Sequence, residues 1–280
     1  MEKKWTTVIE PKHRLLDLNL KEIWEYRDLI LLFVKRDFST RYKQTLLGPL
    51  WHIIQPLLTT LMQTFVFGSI AKLPTDGVPQ FLFYMAGNVP WLYFSACLTV
   101  TSNTFVGNSA VFGKVYFPRL TTPIAAVISA FINFFIQFVM FLGFFLYFFF
   151  MGADVHITWA AALTPALIIQ MAMLGMGFGI IISSLTTKYR DLQVLVSFGV
   201  TLWMYATPIV YPASSLSPKL FSLVMLNPMS PIVELMRYGW LGSGTTPFFY
   251  WGLSWIVTLV VLFIGIVIFN KVEKTFMDTV

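Results

Sequence analysis

The chain has 280 residues, of which 57% are hydrophobic, 17% aromatic and only 11% charged, with a mean hydropathy of +0.73. That balance excludes roles that need a water-solvated chain, and the single cysteine, Cys97, excludes a disulfide or thiolate metal framework. The net charge of +6 and pI near 9.4 call for no nucleic-acid partner, because attraction to anionic lipid headgroups accounts for a basic membrane chain.

In chain order, residues 1–16 read as a loosely structured lead. The first apolar run follows about 40 polar and amphipathic residues rather than a short basic segment, so no cleavable signal peptide is expected. Asn19 and Glu22 have the spacing of a capping box. A helix is expected from there to about Phe38, with Leu20, Ile23, Trp24, Leu31, Val34 and Phe38 recurring among Lys21, Glu25, Asp28, Lys35 and Arg36. It reads as an amphipathic helix lying in the membrane interface, or packed on another protein.

Six stretches without Asp, Glu, Lys or Arg follow: Lys43 to Lys72, Asp76 to Lys114, Arg119 to Asp154, Asp154 to Lys188, Asp191 to Lys219 and Arg237 to Lys271. Each exceeds the roughly 20 apolar residues that cross a hydrocarbon core of about 30 Å. They are too long and too continuously apolar for barrel strands of about 10 alternating residues. Six transmembrane helices are therefore expected, near 46–70, 80–108, 121–150, 158–185, 192–212 and 247–270. The fold class is all-α integral membrane. Its expected parts are a lead and interface helix (1–43), a six-helix transmembrane region (44–271) and a tail (272–280).

Of the 19 Lys and Arg residues, 16 fall in 1–43, 109–120, 186–191 and the tail. The positive-inside rule then places both termini in the cytoplasm of a multi-pass protein of the cytoplasmic membrane. Between the last two spans, residues 213–246 are moderately polar and carry Pro218, Pro228 and Pro231. Their apolar pieces, near 219–226 and 232–241, are too short to cross. They read as re-entrant half-helices broken at Asn227-Pro228. Glu234 and Arg237, three residues apart, have the spacing to pair on one helix face.

Two glycine patterns fail as nucleotide motifs. GNSAVFGK at 107–114 has one residue too many between its glycines, and Val115 replaces the magnesium-binding Ser or Thr of a P-loop. GMGFG at 175–179 lacks a third glycine and lies in a span, where Gly175 and Gly179 fit close helix packing instead. His13, His52 and His156 share no metal-ligand spacing. Asn133 with Gln137, and Gln55 with Gln63, either bond between helices or line a hydrophilic path. No span holds a central carboxylate, which argues against a proton- or sodium-coupled carrier. Trp51, Trp91, Tyr93, Trp203, Tyr205 and Tyr211 are candidates for lining a path through the membrane with flat rings. The alternative for each is a lipid-facing or interface position.

Several blocks converge on one family. VKRDFSTRYKQTLLGPLWHIIQP (34–56), PWLYFS (90–95), FGKVYFPRL (112–120), KYRD (188–191), TPIVYP (207–212) and NPMSPIVELMRYGWLG (227–242) occur in order. Together they resemble the membrane subunit of ABC transporters that export polysaccharides, including O-antigen, capsule and teichoic acid. WTTVIEPK (5–12) and KEIWEYRDLI (21–30) look most like O-antigen-type permeases. The resemblance implies a homodimer of six-helix subunits with two copies of a separate ATPase, which holds the ATP and magnesium; this chain would carry no cofactor and no catalytic residue. It also implies that the loop around Gly113, Lys114, Tyr116 and Arg119 sits against the ATPase. Lys188, Arg190 and Asp191 would touch the ATPase or pair within the chain. Lys35, Arg36, Arg41 and Lys43 would meet the pyrophosphate of a lipid-linked glycan or anchor to headgroups. Other readings left open are an exporter permease for a drug or small lipid, and a membrane-embedded enzyme acting on lipid-linked sugars.

Overall fold

The computed structural model describes residues 20–42, 48–189 and 191–279, and these form helices and turns without a strand. The expected interface helix is two helices, α1 (Leu20–Glu25) and α2 (Arg27–Tyr42), separated by a turn at Tyr26. Its apolar residues divide between two faces. Ile23, Ile30 and Phe33 are buried, with α2 packed on the helix Thr121–Phe150, whereas Trp24, Leu31, Leu32 and Phe38 are exposed. The expected stripe thus covers protein on one side and leaves apolar surface on the other, as a helix at a membrane interface requires.

Among the described residues, five helices are long and apolar enough to cross a membrane. The first is α3 (Trp51–Gln63), which continues as a wider π-helical stretch, Thr64–Ile70. The others are α4 (Gln80–Ser102), α6 (Thr121–Phe150), α7 (Thr164–Thr186, led in by a turn at Trp159–Leu163) and α11 (Phe248–Thr279). Pro56 and Pro90 lie inside α3 and α4, as membrane helices tolerate. The short α5 (Thr104–Phe112) continues α4 after a break at Asn103.

The span expected at 192–212 is helical only over α8, Leu192–Tyr205. Its 14 residues reach about 21 Å at 1.5 Å each, less than a hydrocarbon core. The apolar continuation Thr207–Val210 is buried turn instead of helix. The two half-helices are present as α9 (Pro218–Met225) and α10 (Met229–Leu241).

α4 lies at the centre, packed against α3, α6, α7, α8 and α10. Small residues allow this. A Cβ at Gly175 of α7 would stand 2.7 Å from Cys97 Cβ and 2.9 Å from the Phe94 carbonyl oxygen, so α4 and α7 touch backbone to backbone. Gly177, on another face of α7, meets α11 in the same way, where a Cβ would lie 3.0 Å from Leu262 Cα. Polar pairs stitch the remaining contacts. Asn88 donates to Gln63 Oε1 at 2.6 Å, joining α4 to α3, and Gln170 donates to Ser254 Oγ at 2.8 Å, joining α7 to α11.

Candidate functional site

At the α2 end of the bundle an aromatic cluster joins five elements. Phe33 of α2 and Phe112 of α5 each lie 5.7 Å from Phe117 in the loop that follows α5. Phe105 of α5 stacks on Phe269 of α11 at 4.5 Å, and Leu120, at the entry to α6, is buried in the same cluster. Arg119 closes the loop onto α11. Its Nη1 donates to the Glu273 carbonyl at 2.6 Å, its Nε lies 3.7 Å from the Glu273 carboxylate, and its guanidinium sits over Phe112. Burial lowers the Arg119 pKa from its usual value, and the Glu273 charge opposes that fall.

Between these anchors the loop tip projects outward. Lys114, Val115 and Tyr116 are exposed, and the Tyr116 hydroxyl lies near the Glu22 carboxylate of α1. Gly113 ends α5 at φ −82°, an ordinary helical angle, so its place owes nothing to left-handed backbone. The second short loop is likewise exposed. Lys188 lies over the Tyr189 ring at 5.4 Å, and Asp191 precedes α8 without a side-chain cap bond. No ion pair among the described residues joins Lys188 to Asp191; Arg190 lies outside them. Lys35 and Arg36 are exposed on α2, where Arg36 binds Asp37 at 2.9 Å. Arg41 lies in the last turn of α2, and Lys43 is outside the described residues.

The six aromatic candidates do not share one wall. Trp91 is buried, with Trp203 6.3 Å away, and Trp203 packs edge-on against Phe94 at 5.0 Å and Phe178 at 5.1 Å. Tyr93 is buried against Phe134 at 5.0 Å, beside a cavity between α3, α4 and α6. Trp51 and Tyr205 are about half exposed, on α3 and α8, and Tyr211 is half-buried in the segment before α9. Sequence reasoning placed the break at Asn227-Pro228 but did not anticipate the bonds of the Asn227 side chain. That side chain accepts from Trp203 Nε1 at 2.8 Å and from Met229 N at 3.1 Å, and donates to Thr207 Oγ1 at 2.8 Å. It therefore pins the break between the half-helices to the end of α8; an Asn before Pro at a helix break was the one signal of it.

At the opposite end, Arg237 of α10 has no exposed surface. Its Nη1 donates to Glu234 Oε1 at 2.9 Å and to the Pro208 carbonyl at 2.6 Å, its Nη2 to the Ile209 carbonyl at 2.6 Å, and its guanidinium lies 3.8 Å from the Phe83 ring centroid. Glu234 Oε2 accepts from Thr245 N and Oγ1, both at 3.1 Å. The pair expected from spacing is thus a junction of α10 with α4, with the turn after α8 and with the turn before α11. Trp240 of α10 donates to Thr164 Oγ1 at 3.0 Å and lies edge-on to Phe138 at 5.3 Å. Gly242 ends α10 in the left-handed region at φ 71°, where only glycine avoids a Cβ penalty.

These features define a polytopic α-helical membrane protein with an exposed two-loop surface at one end and two interlocked half-helices at the other. The chain belongs to the ABC-2 type transporter family, whose sequence profile matches residues 28–241. It is 28% identical over 252 residues to the O-antigen export system permease protein RfbA of Klebsiella pneumoniae, covering 90% of this chain and 94% of that one. It is also 28% identical over 218 residues to the protein of the same name from Myxococcus xanthus, covering 78% and 80%. Identity to the polysialic acid transport protein KpsM of Escherichia coli is 24% over 253 residues, covering 87% and 93%.

Proposed function

We propose that this chain is the membrane subunit of an ATP-driven exporter that carries a lipid-linked, O-antigen-like polysaccharide across the cytoplasmic (inner) membrane. The observation that carries the reading is near full-length similarity to proteins named as O-antigen export permeases, on a fold with short half-helices at one end. The chain works as a homodimer. α3 and α8 turn apolar side chains outward, among them Leu58, Met62 and Phe65 on one and Leu195, Phe198 and Leu202 on the other. Apposed edges of two copies enclose the passage, and Trp51 and Tyr205, both exposed, face it as ring platforms for the sugar chain.

Both termini lie in the cytoplasm, following the Lys and Arg distribution. Two copies of a separate ATPase, which hold ATP and magnesium, dock on Lys114, Val115 and Tyr116 together with the 187–191 loop. Arg119 and the aromatic cluster pass their movement to α6 and α11. Lys35, Arg36, Arg41 and Lys43 meet the pyrophosphate of the lipid carrier, where guanidinium and ammonium donors suit phosphate oxygens.

Deleting the gene is expected to strip the polysaccharide from the cell surface and leave its lipid-linked form inside. A mild-detergent pull-down of the tagged protein should recover a P-loop ATPase in equal amount. Unchanged surface polysaccharide, with recovery of the intact protein alone even after gentle crosslinking, would refute the reading.

A further inference from the structure

A cavity of about 340 Å³ lies under α3, between it, α4 and α6. That is within the range of small-molecule sites, roughly 300–1,000 Å³. No Asp, Glu, Lys or Arg lines it. Its walls carry neutral hydrogen-bonding groups: the amides of Gln55, Asn133 and Gln137 and the hydroxyls of Ser95 and Thr99, beside the Tyr93 ring.

Gln137 is only 7% exposed, and its amide has no hydrogen-bond partner among the described residues. It sits 16 residues into α6, about 24 Å along the helix at 1.5 Å per residue, and therefore deep in the span. Gln55 and Thr99 also leave their side-chain polar groups unpaired on exposed faces of the cavity. In hydrocarbon an unsatisfied polar group costs several kcal/mol. A polar lining that runs from Gln55 and Thr99, about one turn from their helix ends, to Gln137 at this depth is therefore built for something polar to fill it. Gly175 and Gly179 show how tightly this bundle closes where no filling is needed.

Val100 also lines a second cavity, of about 460 Å³, between α2 and the α4–α5 and α6 segments, so the two lie side by side. Arg36, Asp37, Thr40, Asn103 and Asn108 line this one. Asp37 takes the Nε and Nη2 of Arg36, at 3.0 and 2.9 Å, which leaves the Nη1 donors of the fork for another acceptor.

We infer that the two cavities form one binding groove within each subunit for the head of a lipid-linked saccharide. The phosphate lies at Arg36 in the interface, and the lipid-proximal sugar lies in the neutral cavity under α3. The inference rests on the reading that the cargo is a lipid-linked glycan. Chemistry sets the assignment. Amides and hydroxyls match the alternating donors and acceptors of a sugar, and the Tyr93 ring offers its C–H face an apolar surface. The first cavity is lined by no Asp, Glu, Lys or Arg, with the His52 imidazole as its one basic side chain, which favours a neutral ring over a second anion.

The test uses the complete transporter, permease with its ATPase, in proteoliposomes containing a polyprenyl-pyrophosphate-linked monosaccharide as the probe. A diazirine amino acid placed at Thr99 should form an adduct with the mass of the sugar-bearing lipid. The same amino acid at Val139, exposed on α6 outside the cavity, should not. With the diazirine amino acid placed instead at Gln55, which also lines the cavity, an adduct should again form, and Gln137→Leu should lower this Gln55-position adduct roughly three- to tenfold, the effect of one hydrogen bond to a neutral ligand. Thr99→Leu, a change at an exposed position, should lower it similarly if the Gln137 variant does not fold. No adduct at Thr99, or equal adducts with the same lipid lacking its sugar, would overturn the site. The gene deletion separates the two failures. Lost surface polysaccharide with no adduct defeats this site alone, whereas unchanged surface polysaccharide defeats the export reading and the site with it.

Discussion

Arg237→Met is the most severe single change the structure offers. The substitution removes two hydrogen bonds of 2.6 Å to the Pro208 and Ile209 carbonyls, the 2.9 Å bond to Glu234 and the contact with Phe83, and leaves the Glu234 carboxylate buried without its cation. Breaking one partner of a buried ion pair costs about 3–5 kcal/mol. For a protein of this size each kcal/mol moves the midpoint by roughly 2–4 °C, so the purified variant should melt about 6–20 °C below the wild type. Glu234→Gln should cost less. The amide oxygen still accepts from Thr245, and Arg237 keeps its two carbonyls. The double variant should be less destabilised than the sum of the singles, because it removes the orphaned charge on each side. Intrinsic tryptophan fluorescence during thermal unfolding in one detergent reads all three variants. A melting point for Arg237→Met within about 1 °C of wild type, or strict additivity in the double, would refute the view that this pair holds α10 to α4 and to the turn after α8.

Two further outcomes follow from the same geometry. Arg119→Ala removes a charged hydrogen bond to the end of α11, worth about 1.5–3 kcal/mol, and should reduce permease-stimulated ATP hydrolysis severalfold while the purified protein still elutes as a single folded species; wild-type stimulation would exclude this loop from coupling. Gly175→Val places a Cβ 2.7 Å from Cys97 Cβ and 2.9 Å from a backbone oxygen that cannot step aside, so it should cost about 1–3 kcal/mol in the same melting assay, with Ala costing less.

Much of the architecture was legible because lipid leaves few options. A chain whose charges collect in gaps must wind the uncharged stretches into helices, and the helices at 51–70, 80–102, 121–150, 159–186 and 248–273 lie where those gaps put them. The half-helices were legible for a second reason, since Pro218 and Asn227-Pro228 interrupt segments too short to span. α8 was harder to read. Thr207–Val210 is as apolar as the helix before it, but Pro208 offers no N–H to continue a helix and disfavours helical backbone at Thr207, and Arg237, 28 residues beyond Ile209, takes the Pro208 and Ile209 carbonyls that the turn leaves open.

That long-range capture marks the general boundary of what could be read. Spacing of three suffices to pair Glu234 with Arg237, because both lie on one helix and the geometry is local. Nothing local pairs Asn88 with Gln63, 25 residues apart, or sends Gln137 into a cavity while Asn227 closes a break. The aromatic candidates separate for the same cause. Residue type assigns Trp91, Tyr93, Trp203 and Tyr205 to one chemistry, but the rotation of α4 and α8 about their own axes decides which ring faces outward. On α4 the close approach of α7 at Gly175 fixes that rotation. It turns Cys97 and Phe94 toward α7 and directs Ser95 and Thr99 to the cavity under α3. A glycine on one helix thus sets which polar groups of its neighbour are free to meet a ligand.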